Sequence, residues 1–522
     1  SHRPTYAEHR DARNRAVGPL CEHAKCAELG CMHAALQQHQ GMGSSPAGTG
    51  GAGYRRHRPE DTVLYGVVEQ HAHAFFDGQD ELGRGLPRFV REEFEAYLRC
   101  GRLEWGFIRA KCTGCRHEHR VAFSCKRRGW CPSCASRRMA ESGAHLVDNV
   151  LPKAPYRQWV LSFPWPLRML FAAQPQWLSR VLGVVIRAVS TALLKGAGLR
   201  HCDGARTGMV TYIQRFGSKL NLNVHLHVLA LDGAYSFKHG KARFHRARGL
   251  SPEELNALLR TVITRVTRTL VRAGVLVAED EQPYLDLEMD SPYEQLAGAA
   301  IRYVIAAGPQ AGRATMRLHD PLLVVGASGA KTKPLTAARD GFSLNCAVAC
   351  EVNERAKLER LCRYMARGPI AQERLSVDGD GLVVLELKRA FSDGTTHVLF
   401  EPHDFIARLA ALVPRPKAHL VRYHGVFAPN AHQRADIVAR PKVASKVTGN
   451  DECASNVGVA PLGWMARLKR VFAIDLKRCP HCGGQLRVIA VITEPGVISR
   501  ILEHMGLDGV RQPRAPPLAV TN

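Results

Sequence analysis

Two histidines that lie two residues apart, His225 and His227, are the side chains in this 522-residue chain best suited to hold a catalytic cation. The segment 221–231 reads NLNVHLHVLAL and predicts a β-strand, because apolar residues alternate with polar ones. Both imidazoles then point to the same face of the strand, where they could bind one divalent ion. The alternative is a histidine pair whose hydrogen bonds are satisfied within a sheet.

A tyrosine on a predicted helix, Tyr364, is the candidate nucleophile. The helix is predicted to be capped by Asn353 and to end at Gly368. Arg360 precedes the tyrosine by four residues and Arg367 follows it by three, so both share its side of the helix. Two guanidinium groups would favour the phenolate and attract a phosphate. The alternative is an ordinary tyrosine at the boundary of the helix's apolar stripe.

Cysteine pairs predict zinc sites. The pairs Cys112/Cys115 and Cys131/Cys134 are separated by fifteen residues, which predicts four thiolates around one structural Zn²⁺. Further predicted ligands are Cys100 and Cys125, for a second ion together with His117 or His119, and the later pair Cys479/Cys482, which needs further ligands such as His424, His432 or Cys453.

The charge of the chain predicts a polyanionic partner. Lysine and arginine number 72 against 47 acidic residues, which gives a formal charge of +25 and favours nucleic acid. An acidic membrane surface is the alternative, but the longest apolar segment, 177–194, contains Arg180 and Arg187 and predicts a buried amphipathic helix. We therefore expect no membrane partner. The cations predicted to contact DNA phosphates, rather than to form a merely solvated face, are Lys126, Arg127, Arg128, Arg137 and Arg138.

The elements that would position these residues predict an α+β fold. Predicted strands at 158–163 and 209–216 precede the histidine strand, and 234–237 is predicted to be its return partner after an Asp-Gly turn. We expect a flexible extension over 1–60, which contains Cys21, Cys26 and Cys31, and a helical and zinc-binding module over 61–145. A catalytic domain over 150–432, a linker over 433–462, and a basic helix with a cysteine knuckle over 463–510 would follow.

Together these residues predict one reaction. A metal ion would offset charge on a phosphodiester while Tyr364 attacks the phosphorus, which would store the bond energy in a phosphotyrosine. A third metal ligand is required, and Gln214 or Asn223 could reach the ion. Sixteen cysteines without a secretion signal favour thiolate–zinc chemistry in a reducing cytoplasm over disulfides.

Five motifs resemble the insertion sequence 91 family of rolling-circle transposases, in the family's order along the chain. They begin at residues 123 (FSCKRRGWCPSC), 214 (QRFGSKLNLNVHLH), 363 (RYMARGP), 422 (RYHGVFAPN) and 479 (CPHCGG). The resemblance implies an HUH endonuclease with a ferredoxin-like antiparallel sheet, preceded by the zinc module. It also implies Mg²⁺ or Mn²⁺ on His225 and His227, structural Zn²⁺, and a Tyr364 nucleophile that cleaves single-stranded DNA at transposon ends and joins it to target DNA.

Two positions depart from the family pattern. Some members have a second tyrosine four residues after the first, where this chain has Gly368, so it resembles the single-tyrosine, common-region-like branch. Trp130 stands where the zinc module often has a histidine. The alternatives are a replication initiator or relaxase of the HUH type, although no nucleotide-binding loop is visible, and a non-catalytic zinc-dependent DNA-binding protein. The expected location is the bacterial cytoplasm, at the nucleoid.

Overall fold

The computed structural model describes residues 58–238, 241–277, 284–285, 290–319, 334–391, 393–438, 478–479 and 481–506. The predicted extension up to residue 57 with its three cysteines, most of the predicted linker, and the predicted basic helix lie outside these residues. The helices are α1 (Val63–Glu81), α2 (Arg88–Arg99), α3 (Pro132–Asn149), α4 (Trp165–Ala173), α5 (Pro175–Gly196), α6 (Pro252–Val271), α7 (Pro292–Arg302), α8 (Arg355–Met365), α9 (Pro402–Leu412), α10 (Arg434–Ile437) and α11 (Pro495–His504).

The strands form antiparallel sheets, which confirms the predicted α+β class. They are β1 (Phe107–Cys112), β2 (Glu118–Ala122), β3 (Tyr156–Ser162), β4 (Gly208–Phe216), β5 (Leu222–Leu231), β6 (Gly233–Lys238), β7 (Lys241–Arg246), β8 (Leu276–Val277), β9 (Tyr284–Leu285), β10 (Met316–His319), β11 (Thr336–Arg339), β12 (Phe342–Asn345), β13 (Ala349–Cys350), β14 (Leu375–Val377), β15 (Val383–Glu386), β16 (Thr395–Phe400), β17 (Val421–Gly425) and β18 (Leu486–Ile492).

The largest sheet has the strand order β11-β12-β3-β5-β4-β17, with β13 beside β3, and places the histidine strand β5 near its centre. The apolar face of β5 packs into a core with helices α5 and α6, through residues such as Val224, Leu226 and Val228. The opposite face carries the histidines and is covered by α3 and α8. The sheet therefore brings the polar side of β5 against the tyrosine helix.

The predicted return partner of β5 is wrong. Residues 233–238 form β6, which pairs with β7, whereas β5 pairs with β3 and β4. At the end of β5 the Asp232 carboxylate accepts two hydrogen bonds from Arg157 of β3, at 2.9 Å each. The chain thus leaves the sheet at Asp232 instead of turning back along it.

The zinc module and the C-terminal segment share one small sheet. Its order is β18-β1-β2, and β1 pairs with β18 from Phe107↔Ile492 to Cys112↔Leu486. Phe107 also packs with Ile498 and Leu502 of α11. The zinc-binding module and the C-terminal cysteine knuckle, which were predicted as separate regions, therefore form one structural unit.

Helix α5 corresponds to the longest apolar segment of the sequence. Among the described residues it is the one helix that is long and apolar enough to cross a membrane, by length and composition only. Val181, Val185 and Val189 lie on its buried side against the central sheet. This agrees with the predicted buried amphipathic helix.

Candidate active site and cysteine clusters

The imidazoles of His225 and His227 face each other, with their Nε2 atoms 3.0 Å apart. Only 4% and 3% of these residues are exposed. His225 Nδ1 lies 2.9 Å from the carbonyl oxygen of Asn223, and His227 Nδ1 lies 2.7 Å from Nε2 of Gln158. Burial, followed by the charges of His225 and Arg367, lowers the pKa of His227 well below its usual value. His227 is therefore held in the neutral form, which a histidine needs in order to bind a metal ion.

The donor set around the histidines fits a divalent cation. Two nitrogens on one octahedral ion, each bound at about 2.1 Å, lie about 3.0 Å apart. Gln214 on β4 is the register partner of His225, so the two side chains share a face of the sheet. Its Nε2 bonds to the Met365 carbonyl, whereas its Oε1 is buried without a hydrogen-bond partner. Gln214, one of the two predicted third ligands, therefore offers an orphaned oxygen next to His225.

Tyr364 lies beside the histidines. Its ring centroid is 6.2 Å from that of His227, and the rings are nearly perpendicular at 82°. Tyr364 is 8% exposed, so it is more buried than the predicted boundary position. The predicted ends of its helix are wrong, because the helix begins at Arg355 without a side-chain cap from Asn353 and ends at Met365, before Gly368.

The two arginines predicted to flank the tyrosine differ in position. The guanidinium of Arg367 lies over the Tyr364 ring, 4.8 Å from its centroid, and 5.3 Å from the ring of Phe216. The charge of Arg360 acts instead on Cys350 and Glu354, at the other end of the helix. Arg367 is thus the cation best placed to meet a phosphate next to the phenol.

A groove opens beside this centre. Its walls come from the zinc module, from β4, from the residues that follow Tyr364, and from the segment before β17. Among the described residues that line it there is no carboxylate, and the cations are Arg128, Arg138, Arg215 and Arg367. An electropositive groove of this kind suits the phosphate backbone of a nucleic acid.

Of the five zinc-module cations predicted to bind DNA, only Arg128 and Arg138 line the groove. Arg127 lies 3.4 Å from Glu92, Arg137 lies 2.9 Å from Glu141, and Lys126 is exposed. Trp130 is fully buried and packs edge-on against Phe94, so it is not available for base stacking. The DNA-binding role of these cations stays a prediction.

The first cysteine cluster consists of Cys100, Cys125, Cys131 and Cys134. Their sulfur atoms include pairs 3.3, 3.7 and 3.8 Å apart. Thiolates around a tetrahedral Zn²⁺, at Zn–S distances of about 2.3 Å, lie about 3.8 Å apart. The four cysteines therefore fit structural zinc at the start of α3.

The second cluster joins the zinc module to the C-terminal segment. It consists of Cys112, Cys115, Cys479 and Cys482, with sulfur separations of 3.5 Å between Cys112 and Cys482 and between Cys115 and Cys479. The predicted grouping of Cys112, Cys115, Cys131 and Cys134 around one ion is therefore wrong, as is the predicted use of histidines. Cys453, the other predicted ligand, lies outside the described residues. Spacing along the chain identifies a cysteine knuckle, but the pairing of β1 with β18 decides which knuckle it meets.

The zinc module packs directly on the tyrosine helix. A Cβ on Gly143 of α3 would lie 2.5 Å from Cγ of Arg363, so the helices approach closely at that glycine. Arg355 donates hydrogen bonds to the carbonyl oxygens of Leu151 and Pro152, just after α3. A Cβ on Gly368 would lie 2.7 Å from Cβ of Ala135. Helix α3 therefore fixes α8 and fills the space where a side chain at 368 would project.

Two residues of the site were not found from the sequence. Gln158 contacts His227, and Arg215 lines the groove. The available signal for Gln158 was a polar residue at the start of an otherwise apolar strand, and it does not reveal which side chain faces it. Arg215 follows Gln214 in a family motif, but nothing in the sequence places it in a groove.

Two family models match the chain. Residues 208–435 match a family described as "Putative transposase", and residues 67–163 match the "Transposase zinc-binding domain" of the insertion sequence 91 type. The first range contains His225, His227 and Tyr364, and the second contains the first cysteine cluster. The chain has no significant match among curated proteins or among solved structures.

Proposed function

The chain belongs to the insertion sequence 91 family of transposases, and from that premise we propose that it cleaves and rejoins single-stranded DNA through a phosphotyrosine on Tyr364. The ends of a mobile element and its target would be the substrates. The reaction would take place at the bacterial nucleoid, in the manner of rolling-circle transposition by an HUH enzyme.

The observation that carries the proposal is the proximity of Tyr364 to His227, with ring centroids 6.2 Å apart. The helix and the histidine strand are distant in sequence, yet Gln214 binds the carbonyl of Met365 across a separation of 151 residues. A buried tyrosine beside a convergent histidine pair supports nucleophilic catalysis at a metal centre. A structural histidine pair alone would need neither the tyrosine nor the orphaned Gln214 oxygen.

The proposed cleavage is a transesterification. Tyr364 Oη forms a bond to the phosphorus, the bond to the 3′ oxygen breaks, and the electron pair stays on that oxygen, which takes up a proton. The phenolic proton passes to solvent. Arg367 would stabilise the developing phosphate charge. A divalent ion held by His225 and His227, with Gln214 as the third ligand, would supply Lewis-acid stabilisation of the phosphate oxygens. Attack by a free 3′ hydroxyl on the phosphotyrosine reverses the step and joins a new strand.

The groove beside the site would hold the DNA strand. Its arginines come from both the zinc module and the catalytic sheet, so DNA binding would depend on both parts. The zinc module would also position the nucleophile, because α3 packs on α8. The single-tyrosine assignment is supported by Gly368, whose neighbour Ala135 occupies the space that a second tyrosine would need.

A covalent-adduct assay tests the proposal. The zinc-loaded protein is incubated with Mn²⁺ and a single-stranded oligonucleotide carrying the element's end, and denaturing electrophoresis then detects protein–DNA adducts. We expect an adduct with the wild type and none with Tyr364→Phe. Tyr423→Phe is the matched control, because Tyr423 is a partly buried tyrosine on β17 that does not line the groove.

The outcomes separate the alternatives. An adduct that persists in Tyr364→Phe would place the nucleophile elsewhere and overturn the assignment. Tight DNA binding with no adduct in the wild type would favour a non-catalytic DNA-binding protein. Cleavage that is never followed by joining to a second strand would favour a replication initiator or relaxase.

A further inference from the structure

The hydrogen bonds around the histidine pair determine which ring nitrogen of each histidine carries the proton. The Asn223 carbonyl can only accept, so His225 Nδ1 carries a proton and its Nε2 has a lone pair. The amide nitrogen of Gln158 can only donate, so Nδ1 of His227 accepts from it. The ring proton of His227 then lies on Nε2 and is donated to His225 across 3.0 Å. In this state the Nε2 lone pair of His225 accepts the proton of His227. The Nε2 atom of His227 therefore has no lone pair with which to bind a metal ion.

The same arrangement leaves Gln158 Oε1 buried without a hydrogen-bond partner. Gln158 is 1% exposed, and its backbone nitrogen is fixed by the Val348 carbonyl at 2.9 Å. A half turn of the amide group exchanges oxygen and nitrogen within the same volume. The oxygen would then accept from Nδ1–H of His227, and the Nε2 lone pairs of both histidines would converge on one point.

We propose that Gln158 is a positioning residue whose amide orientation sets the tautomer of His227 and thereby switches the pair between a closed state and a metal-binding state. The inference rests on the proposed function only in requiring a divalent ion at the histidines. Gln158 bonds to Nδ1, on the opposite side of the ring from the converging Nε2 atoms, so it orients a ligand and is not one itself.

The first test uses the wild-type chain. Histidine-selective ¹⁵N NMR of the zinc-loaded protein without Mg²⁺ should show His227 protonated on Nε2 and His225 on Nδ1. Addition of Mg²⁺ should move the His227 proton to Nδ1 and leave His225 unchanged. A His227 proton that stays on the same nitrogen with and without Mg²⁺ would overturn the proposal. His227→Ala assigns the signal.

Two variants provide the second test. Gln158→Met keeps the side-chain size but removes both hydrogen-bonding groups, and it should weaken Mn²⁺ binding, measured by electron paramagnetic resonance of free Mn²⁺, about 10- to 100-fold. Gln158→Glu accepts only, so it should fix Nδ1–H on His227 and bind Mn²⁺ at least as tightly as the wild type. Zinc content and the thermal midpoint report whether each variant folds.

The results distinguish this inference from the proposed function. Equal Mn²⁺ affinity in wild type, Gln158→Met and Gln158→Glu would refute the role of Gln158 even if Tyr364 forms an adduct. The predicted tautomer change and affinity order would support that role even if no adduct forms. If Gln158→Met fails to fold, the NMR measurement of the wild-type tautomers and the Mn²⁺ affinity of Gln158→Glu still test the role of Gln158.

Discussion

The side-chain amide of Gln214 donates a hydrogen bond of 3.0 Å to the backbone carbonyl of Met365, the residue after Tyr364. Gln214 is also the cross-strand partner of His225. One side chain thus connects the end of the tyrosine helix to the histidine strand. This contact helps to set the distance between Tyr364, the proposed nucleophile, and His225, a proposed metal ligand.

Gln214→Leu should therefore impair two properties together. It removes the orphaned oxygen that we assign to the metal and the tie to Met365, so Mn²⁺ affinity and adduct rate should both fall at least 10-fold. Gln214→Glu should retain metal binding but lose the donor to Met365, and its adduct rate should fall with little loss of affinity. Unchanged Mn²⁺ affinity in Gln214→Leu would exclude this residue as a ligand.

The grouping of the cysteines predicts non-additive zinc loss. Cys112→Ser and Cys482→Ser share a cluster, so the double variant should lose one Zn²⁺ per chain, as each single variant does. Cys112→Ser with Cys134→Ser affects both clusters and should lose two. Zinc is measured by mass spectrometry of the purified chain. Loss of only one ion in the second double variant would restore the grouping expected from sequence spacing.

The groove predicts a salt-dependent contribution from Arg128. Arg128→Ala should weaken single-stranded DNA binding and lower the slope of log affinity against log salt by about 0.7 for one lost phosphate contact. Arg137→Ala is the control, because Arg137 pairs with Glu141 and does not line the groove. Equal losses in both variants would mean that net charge, rather than the groove, drives binding.

The close approach of Ala135 limits the size of the side chain that position 368 can hold. Gly368→Ala places a methyl group 2.7 Å from Ala135 Cβ and should lower the free energy of unfolding by about 1–3 kcal/mol. Adding Ala135→Gly removes the clash, so the double variant should recover beyond the sum of the single effects. Denaturant unfolding measures this. Simple additivity of the two changes would contradict direct contact between α3 and the residues after Tyr364.

His424 predicts a loss of stability in acid. Burial, followed by the charge of Arg422, lowers its pKa to about 4. In the unfolded chain this histidine takes up a proton near pH 6.5, whereas in the folded chain it does so only near pH 4. The stability that depends on neutral His424 is therefore fully present above pH 6.5 and is lost as the pH falls towards 4. Between pH 7 and pH 5 the loss is at most about 2 kcal/mol, since His424 is only partly buried. His424→Gln should reduce the difference in unfolding free energy between the two pH values. An unchanged difference would refute the contribution.

Local patterns in the sequence predicted the strands and helices that carry the candidate site residues. Alternation along 221–231 predicted a strand with one apolar face, and the structure buries that face as expected. Ser251 and Glu254 have the spacing of a capping box, and both capping hydrogen bonds are present at the start of α6. These features depend on residues close together in the chain, so their geometry follows from backbone periodicity.

The sequence by itself determined that the chain has a histidine strand, cysteine knuckles, an excess of positive charge and a tyrosine between arginines. Only the tertiary structure decided that Cys479 and Cys482 meet Cys112 and Cys115, that Arg367 rather than Arg360 lies over Tyr364, and that Gln158 contacts His227. The physical reason is that these partners are set by strand pairing and helix packing between distant segments. A short motif specifies its own shape, but the partner that it contacts depends on the whole fold.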